Sequence, residues 1–178
     1  MGKIIKLNQV EGVIKKIKAA GKTTVLAGGC FDLLHFGHVK YLEAAKKEGD
    51  ILVVALEFDD NVKRLKGPNR PINSQENRAK LLSAISFVDF VLLLPLMKTD
   101  QDYLSLVKKI KPEVIALTAG DPFEQKVRKE AKIVGATVKI VIKRLKDYST
   151  SKLEDAIKSN PTPLDLSLSK AKTEKWRV

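Results

Sequence analysis

The sequence predicts an α/β chain with a doubly wound, parallel sheet of about five strands and helices on both faces. Three observations predict it. Short apolar runs at 23–29, 51–57, 87–94, 113–118 and 137–142 alternate with stretches of helical periodicity. The runs are apolar with little alternation, as strands buried on both faces are. The stretches between them have room for right-handed crossover helices.

The elements follow in order. Residues 9–20 set Val10, Val13, Ile14 and Ile17 at helical spacing, and Gly21 stops the helix. The first strand, TTVLAGG, ends on Gly28-Gly29. HVKYLEAAKKEGD continues as a helix with Val39, Leu42 and Ala45 on one face. ILVVALE is the second strand. Asn73-Ser74-Gln75-Glu76 has the pattern of a capping box and opens a helix through Leu82 and Ile85. FVDFVLLL is the third strand, closed by Pro95. Tyr103, Leu104, Val107 and Ile110 mark the next helix, and EVIALT the fourth strand. A helix over 123–134 stops at Gly135, and TVKIVI is the fifth strand. Residues 149–158 close the pattern as a short helix. Three parts result: an N-terminal helical extension (1–21), the domain proper (22–159) and a basic tail (160–178). The tail follows a Pro-Thr-Pro break, and disorder or loose docking is the expectation there.

Composition limits the function classes. Hydrophobic residues at 44% and charged residues at 30% are ordinary for a globular chain. The single cysteine, Cys30, excludes an internal disulfide and a four-cysteine zinc site. No apolar run reaches membrane-spanning length, and the first residues lack the features of a secretory signal. A cytoplasmic protein without a membrane partner is therefore expected. The formal charge is +12, and more than half of the excess lies in residues 1–22 and 160–178. Such a charge implies anionic partners.

The chemistry concentrates after the first strand, in Gly28-Gly29-Cys30-Phe31-Asp32-Leu33-Leu34-His35-Phe36-Gly37-His38. Both histidines of the chain lie here, three residues apart, at the start of a helix. Gly37 permits close backbone approach. The free amides of a helix start form an anion site. Together these groups suit a triphosphate. Cys30 is expected to pack as a small buried residue, and Asp32 to fix the loop by hydrogen bonds.

GGCFDLLHFGH resembles the HxGH signature of the nucleotidyltransferase superfamily, which has a Rossmann-like fold. Two further stretches agree: Asp147-Tyr148-Ser149-Thr150-Ser151, similar to that family's ISTT-like segment, and Leu65-Lys66-Gly67-Pro68-Asn69-Arg70-Pro71-Ile72-Asn73, followed by Glu76 and Arg78. The latter is similar to the adenylyltransferase half of bacterial ADP-heptose synthases. The strand ends at Ala27-Gly28 and Leu117-Thr118-Ala119 depart from that group's usual pattern. The sugar-kinase half of the fused bacterial enzymes has no counterpart here, so a stand-alone transferase is expected.

The resemblance implies one in-line displacement. A phosphate oxygen of the acceptor attacks the nucleotide α-phosphate, and pyrophosphate leaves. It implies that His35, His38 and Lys66 are catalytic. Gly29, Cys30, Phe31, Gly37, Gly120, Asp121, Arg144, Tyr148, Ser149 and Thr150 would bind the nucleotide. Lys63 and Arg78 would serve the acceptor or phosphate loop. Mg²⁺ enters with the triphosphate, held by phosphates and water, with no protein metal ligands expected. The expected reaction is AMP transfer from ATP to a sugar phosphate of the heptose 1-phosphate type. A cytidylyltransferase for glycerol 3-phosphate or a similar alcohol phosphate is the alternative, as is an FMN adenylyltransferase. A basic nucleic-acid-binding protein is the non-enzyme alternative; against a nucleic acid partner, basic residues are scattered and aromatics are only 6%. A homodimer is left open.

Overall fold

The computed structural model describes residues 1–143. Its elements are β1 (Lys3–Lys6), α1 (Val10–Ala19), β2 (Thr24–Gly29), α2 (Phe36–Lys46), β3 (Ile51–Leu56), α3 (Asp59–Lys66), α4 (Gln75–Ser83), β4 (Phe90–Leu93), α5 (Asp100–Ile110), β5 (Val114–Thr118), α6 (Glu124–Val134) and β6 (Thr137–Ile142). The strands form one sheet in the order β1-β4-β3-β2-β5-β6, and every pair is parallel.

Among the described residues the sheet thus has six strands, one more than the sequence pattern predicts. The stretch 1–21, read as a helical extension, opens with the sixth. Lys3-Ile4-Ile5-Lys6 offers two apolar residues between lysines, too little to register alone as a strand. Tertiary pairing supplies what the pattern lacks: Ile5 lies opposite Leu92 and is buried. Gly2 N–H donates to the Ser83 carbonyl at 2.7 Å, and Lys3 N–H to that of Asp89 at 2.8 Å.

Two apolar layers enclose the sheet. On one face Val10, Ile14 and Ile17 of α1 and Leu106, Val107 and Ile110 of α5 pack against Leu26, Val53 and Ile115. On the other, Tyr41, Leu42 and Ala45 of α2 and Ala79 and Leu82 of α4 cover Val25, Leu52, Val54 and Val91. The short polar helix α3 escapes a periodicity search because only Asn61 and Val62 of it are buried. The cap of α4 falls on Ser74 rather than Asn73. Ser74 Oγ accepts from Asn77 N–H at 3.4 Å, while Asn73 is bonded to Asp32.

The chain runs β2, β3, β4 in one direction across the sheet, then returns to place β5 on the far side of β2. Strand order reverses between β2 and β5. In open α/β sheets the carboxyl ends of the strands at such a point form the ligand crevice. Gly29 and Thr118 end those two strands.

Candidate active site

The β2–α2 junction lies at that crevice. Gly29 ends β2, and a Cβ there would stand 2.8 Å from the Phe31 ring, so the turn requires glycine. Phe31 itself has φ +46°, a left-handed conformation rare for a bulky residue. Its ring is buried between two others. It meets His38 edge-on at 5.1 Å and stacks with Tyr41 at 6.5 Å. Phe31 is therefore a core anchor, and only its backbone faces the role that resemblance implies.

His35 caps α2. Its Nδ1 accepts from the His38 N–H at 3.3 Å. In the neutral ring this leaves the proton on Nε2, free to donate. The two imidazoles stack with centroids 3.7 Å apart. Burial lowers the pKa of both histidines. For His38, burial and then the neighbouring His35 push it down to about 3. At neutral pH the free protein holds two uncharged imidazoles rather than two cations. Gly37 lies between them in the first turn of α2.

Lys66 ends α3 and is exposed, and its charge bears on both His38 and Cys30. Lys63, also exposed, lies in the last turn of the same helix. Burial raises the Cys30 thiol pKa, so this cysteine stays protonated. Gly120 (φ +74°) and Asp121 follow β5 across the crevice, and Asp121 Oδ1 accepts from Phe123 N–H at 2.8 Å. The donors gathered here are imidazoles, amides and an ammonium, which suit phosphate oxygens. Among the described residues no group of three or more His, Cys, Asp or Glu could hold a metal ion. Arg144, Tyr148, Ser149 and Thr150 lie outside the described residues.

Arg78 is fully buried. It donates from Nε to the Asn73 carbonyl at 3.0 Å, from Nη2 to the Glu57 carbonyl at 2.8 Å, and from Nη1 to that of Cys30. Nη2 also reaches Asp59 Oδ1 at 2.7 Å. It thus ties β2, β3 and the 67–73 loop together from beneath. Asp32 completes the brace. Its carboxylate accepts from Ile72 N–H at 2.8 Å and Asn73 N–H at 3.0 Å, and pairs with Arg70 Nη1 at 2.6 Å.

Sequence reasoning missed Glu57, Tyr103 and Asn61. Glu57 follows β3, and its N–H donates to the Gly29 carbonyl at 3.1 Å. Its half-buried carboxylate has a pKa raised by burial. The one signal was a carboxylate at a strand's carboxyl end.

The family profile described as cytidylyltransferase-like matches residues 26–161. Two relatives are each named "Bifunctional protein HldE". The one from Campylobacter fetus subsp. fetus is 48% identical over 114 residues, covering 64% of this chain and 23% of the relative. The one from Campylobacter jejuni subsp. jejuni serotype O:6 is 41% identical over 157 residues, covering 86% and 32%. The chain therefore spans a quarter to a third of the curated relatives it matches. A solved lipopolysaccharide core biosynthesis protein from Thermoplasma volcanium is 33% identical with a TM-score of 0.57, over 72% of this chain and all of that one. Pantoate-beta-alanine ligase from Francisella tularensis shares the fold: TM-score 0.62 at 14% identity, over 89% of this chain and 77% of that one. The profile match extends over most of the sequence, from within β2 onward, and the chain belongs to the cytidylyltransferase-like family.

Proposed function

We propose that the chain transfers AMP from ATP to a sugar phosphate of the heptose 1-phosphate type and releases pyrophosphate. The observation that carries this reading is the stacked histidine pair at the amino terminus of α2, beside the reversal in strand order. Similarity to the relatives named HldE and to the lipopolysaccharide core biosynthesis protein supports the acceptor.

An oxygen of the acceptor phosphate attacks the α-phosphorus of ATP. The bond from that phosphorus to the oxygen bridging the β-phosphate breaks, and pyrophosphate departs with the electron pair. His35 donates from Nε2, and His38 from its ring N–H, to phosphate oxygens as charge shifts toward the leaving group. Neutral donors need no counter-ion in the free protein, and the bound triphosphate itself favours their protonation. Lys66 neutralises phosphate charge. The amides of Gly29 to Phe31 and of the first turn of α2 line the phosphate path. Ser149, Thr150, Tyr148 and Arg144 complete the nucleotide side together with Gly120 and Asp121. Mg²⁺ brought in with the triphosphate would neutralise part of its charge, without protein ligands among the described residues. Arg78 and Asp32 act as positioning residues. Among the described residues no helix is long and apolar enough to cross a membrane.

Pyrophosphate release with ATP, CTP, GTP and UTP, each against heptose 1-phosphate, glycerol 3-phosphate and FMN, tests the reading. ATP with the heptose phosphate should dominate. Dominant release with CTP and glycerol 3-phosphate would replace it.

A further inference from the structure

The face of the sheet covered by α5 carries a second polar group that the transfer chemistry leaves unused. Leu26 and Val53 point to this face, so by alternation Gly28 of β2 and Glu57 beyond β3 do as well. Gly28 is exposed, and a Cβ built there meets nothing within 4 Å. Space therefore lies open over Gly28, opposite Ala55, on the face that Glu57 shares at the carboxyl edge of the two central strands.

The Glu57 carboxylate is held in place from one side. Tyr103 Oη lies 3.1 Å from Oε1 and 3.2 Å from Oε2. Asn61 Nδ2 donates to the same Tyr103 oxygen at 3.1 Å, and Asn61 is fully buried with its other bonds to the Met97 backbone. The tyrosine proton must then point at Glu57. Tyr103 is locked by its partners, and Lys126 covers its ring at 4.6 Å. One hydroxyl proton satisfies a fraction of what a carboxylate accepts, since two oxygens offer about four lone-pair directions. No cation lies within ion-pair distance of Glu57 among the described residues. Arg64, Arg78 and Lys126 act on it only from farther away.

A desolvated carboxylate with free lone pairs repels phosphate and attracts hydroxyl donors. Its two oxygens match a pair of adjacent hydroxyl groups on a sugar. Two sources of such hydroxyls exist in the reaction: the acceptor sugar and the ribose of the nucleotide. Glu57 stands on the β3 side of β2, the side of the 67–73 loop that Arg78 and Asp32 brace. Gly120 and Asp121, which the nucleotide would use, lie across the crevice after β5.

We propose that Glu57, oriented by Tyr103, forms the hydroxyl-recognising subsite for the acceptor sugar. This rests on the transferase reading above and adds to it a residue that selects polyhydroxylated acceptors. Glu57→Gln keeps shape and loses half of the acceptor capacity. Tyr103→Phe keeps the ring and removes the orienting proton.

Steady-state kinetics on the full chain with heptose 1-phosphate and ATP provide the test, with thermal melting as the check on folding. Glu57→Gln should raise KM for the sugar phosphate about tenfold or more, as loss of bonds to a charged acceptor does. KM for ATP should stay within about threefold. Tyr103→Phe should move the same parameter by less. Acceptor analogues lacking one ring hydroxyl should lose affinity for the wild type and lose little further for Glu57→Gln. A folded Glu57→Gln with unchanged acceptor KM overturns the subsite. A rise confined to ATP, matched by 2′-deoxy-ATP in the wild type, overturns it in favour of ribose. Absence of pyrophosphate release by the wild type with every sugar phosphate is a different failure: it overturns the transferase reading, and this subsite with it.

Discussion

The imidazole rings of His35 and His38 stack at 3.7 Å, with their planes 18° apart. Two protonated rings in that position would repel each other, and burial adds to the cost. The pair is thereby kept neutral until an anion arrives. One backbone bond, from His38 N–H to His35 Nδ1, fixes both the tautomer of His35 and the start of α2.

Replacing either histidine with alanine should slow pyrophosphate release on the order of a hundredfold, the usual loss for one transition-state donor. Nucleotide affinity should change far less. His35→Ala also removes the cap of α2, which costs about 1 kcal/mol. Turnover assays beside calorimetric nucleotide binding check this. Near-normal turnover in both variants, with early melting, would make the pair structural.

The His38 pKa predicts a pH dependence of stability. The folded-state value of about 3 lies below the ordinary 6.5. Between these values the unfolded chain binds the proton and the folded chain does not. Stability therefore falls as pH drops from about 6.5 toward 3, by at most about 1.4 kcal/mol per pH unit from this residue. Urea denaturation of wild type and His38→Gln at pH 7, 6 and 5 checks it, because carboxylate effects cancel in the difference. Parallel curves for the two proteins would refute the assignment.

Arg78→Lys should destabilise the fold by about 3 kcal/mol. A lysine ammonium cannot span three carbonyls and a carboxylate, so buried acceptors lose their partners. Chemical denaturation measures the loss. A cost below about 0.5 kcal/mol, typical of surface changes, would contradict the bracing role.

Asp32→Ala should cost about 2 kcal/mol, because two loop amides lose their acceptor and Arg70 loses one carboxylate partner. Hydrogen exchange should rise at Ile72 and Asn73 in a variant that still folds. Unchanged exchange there would show that other contacts hold the loop.

The strand run 51–57 was legible because a strand buried on both faces must be apolar along its length, while 137–142 was legible from its β-branched residues although β6 ends the described sheet and is largely exposed. The helix over 101–110 was legible because its stripe is periodic. Gly28 to His38 stood out because glycines, paired histidines and a helix start are local features, and the fold sets them beside the reversal in strand order. β1 was not legible. Two isoleucines between lysines become a strand only when β4 lies beside them, and that pairing joins residues 3–6 to residues 90–93, far apart in the chain. Arg78 read as a brace for either the acceptor-side loop or the phosphates, and tertiary packing surrounds its guanidinium with the backbone carbonyls of Asn73, Cys30 and Glu57. Glu57 offered only its place at a strand's carboxyl end, which is ordinary for a carboxylate until α5 brings Tyr103 across to it. The sequence by itself determined the periodicities and the chemistry of contiguous segments. Tertiary structure alone decided which distant groups meet, how deeply each is desolvated, and so whether a charge binds a ligand or holds the fold.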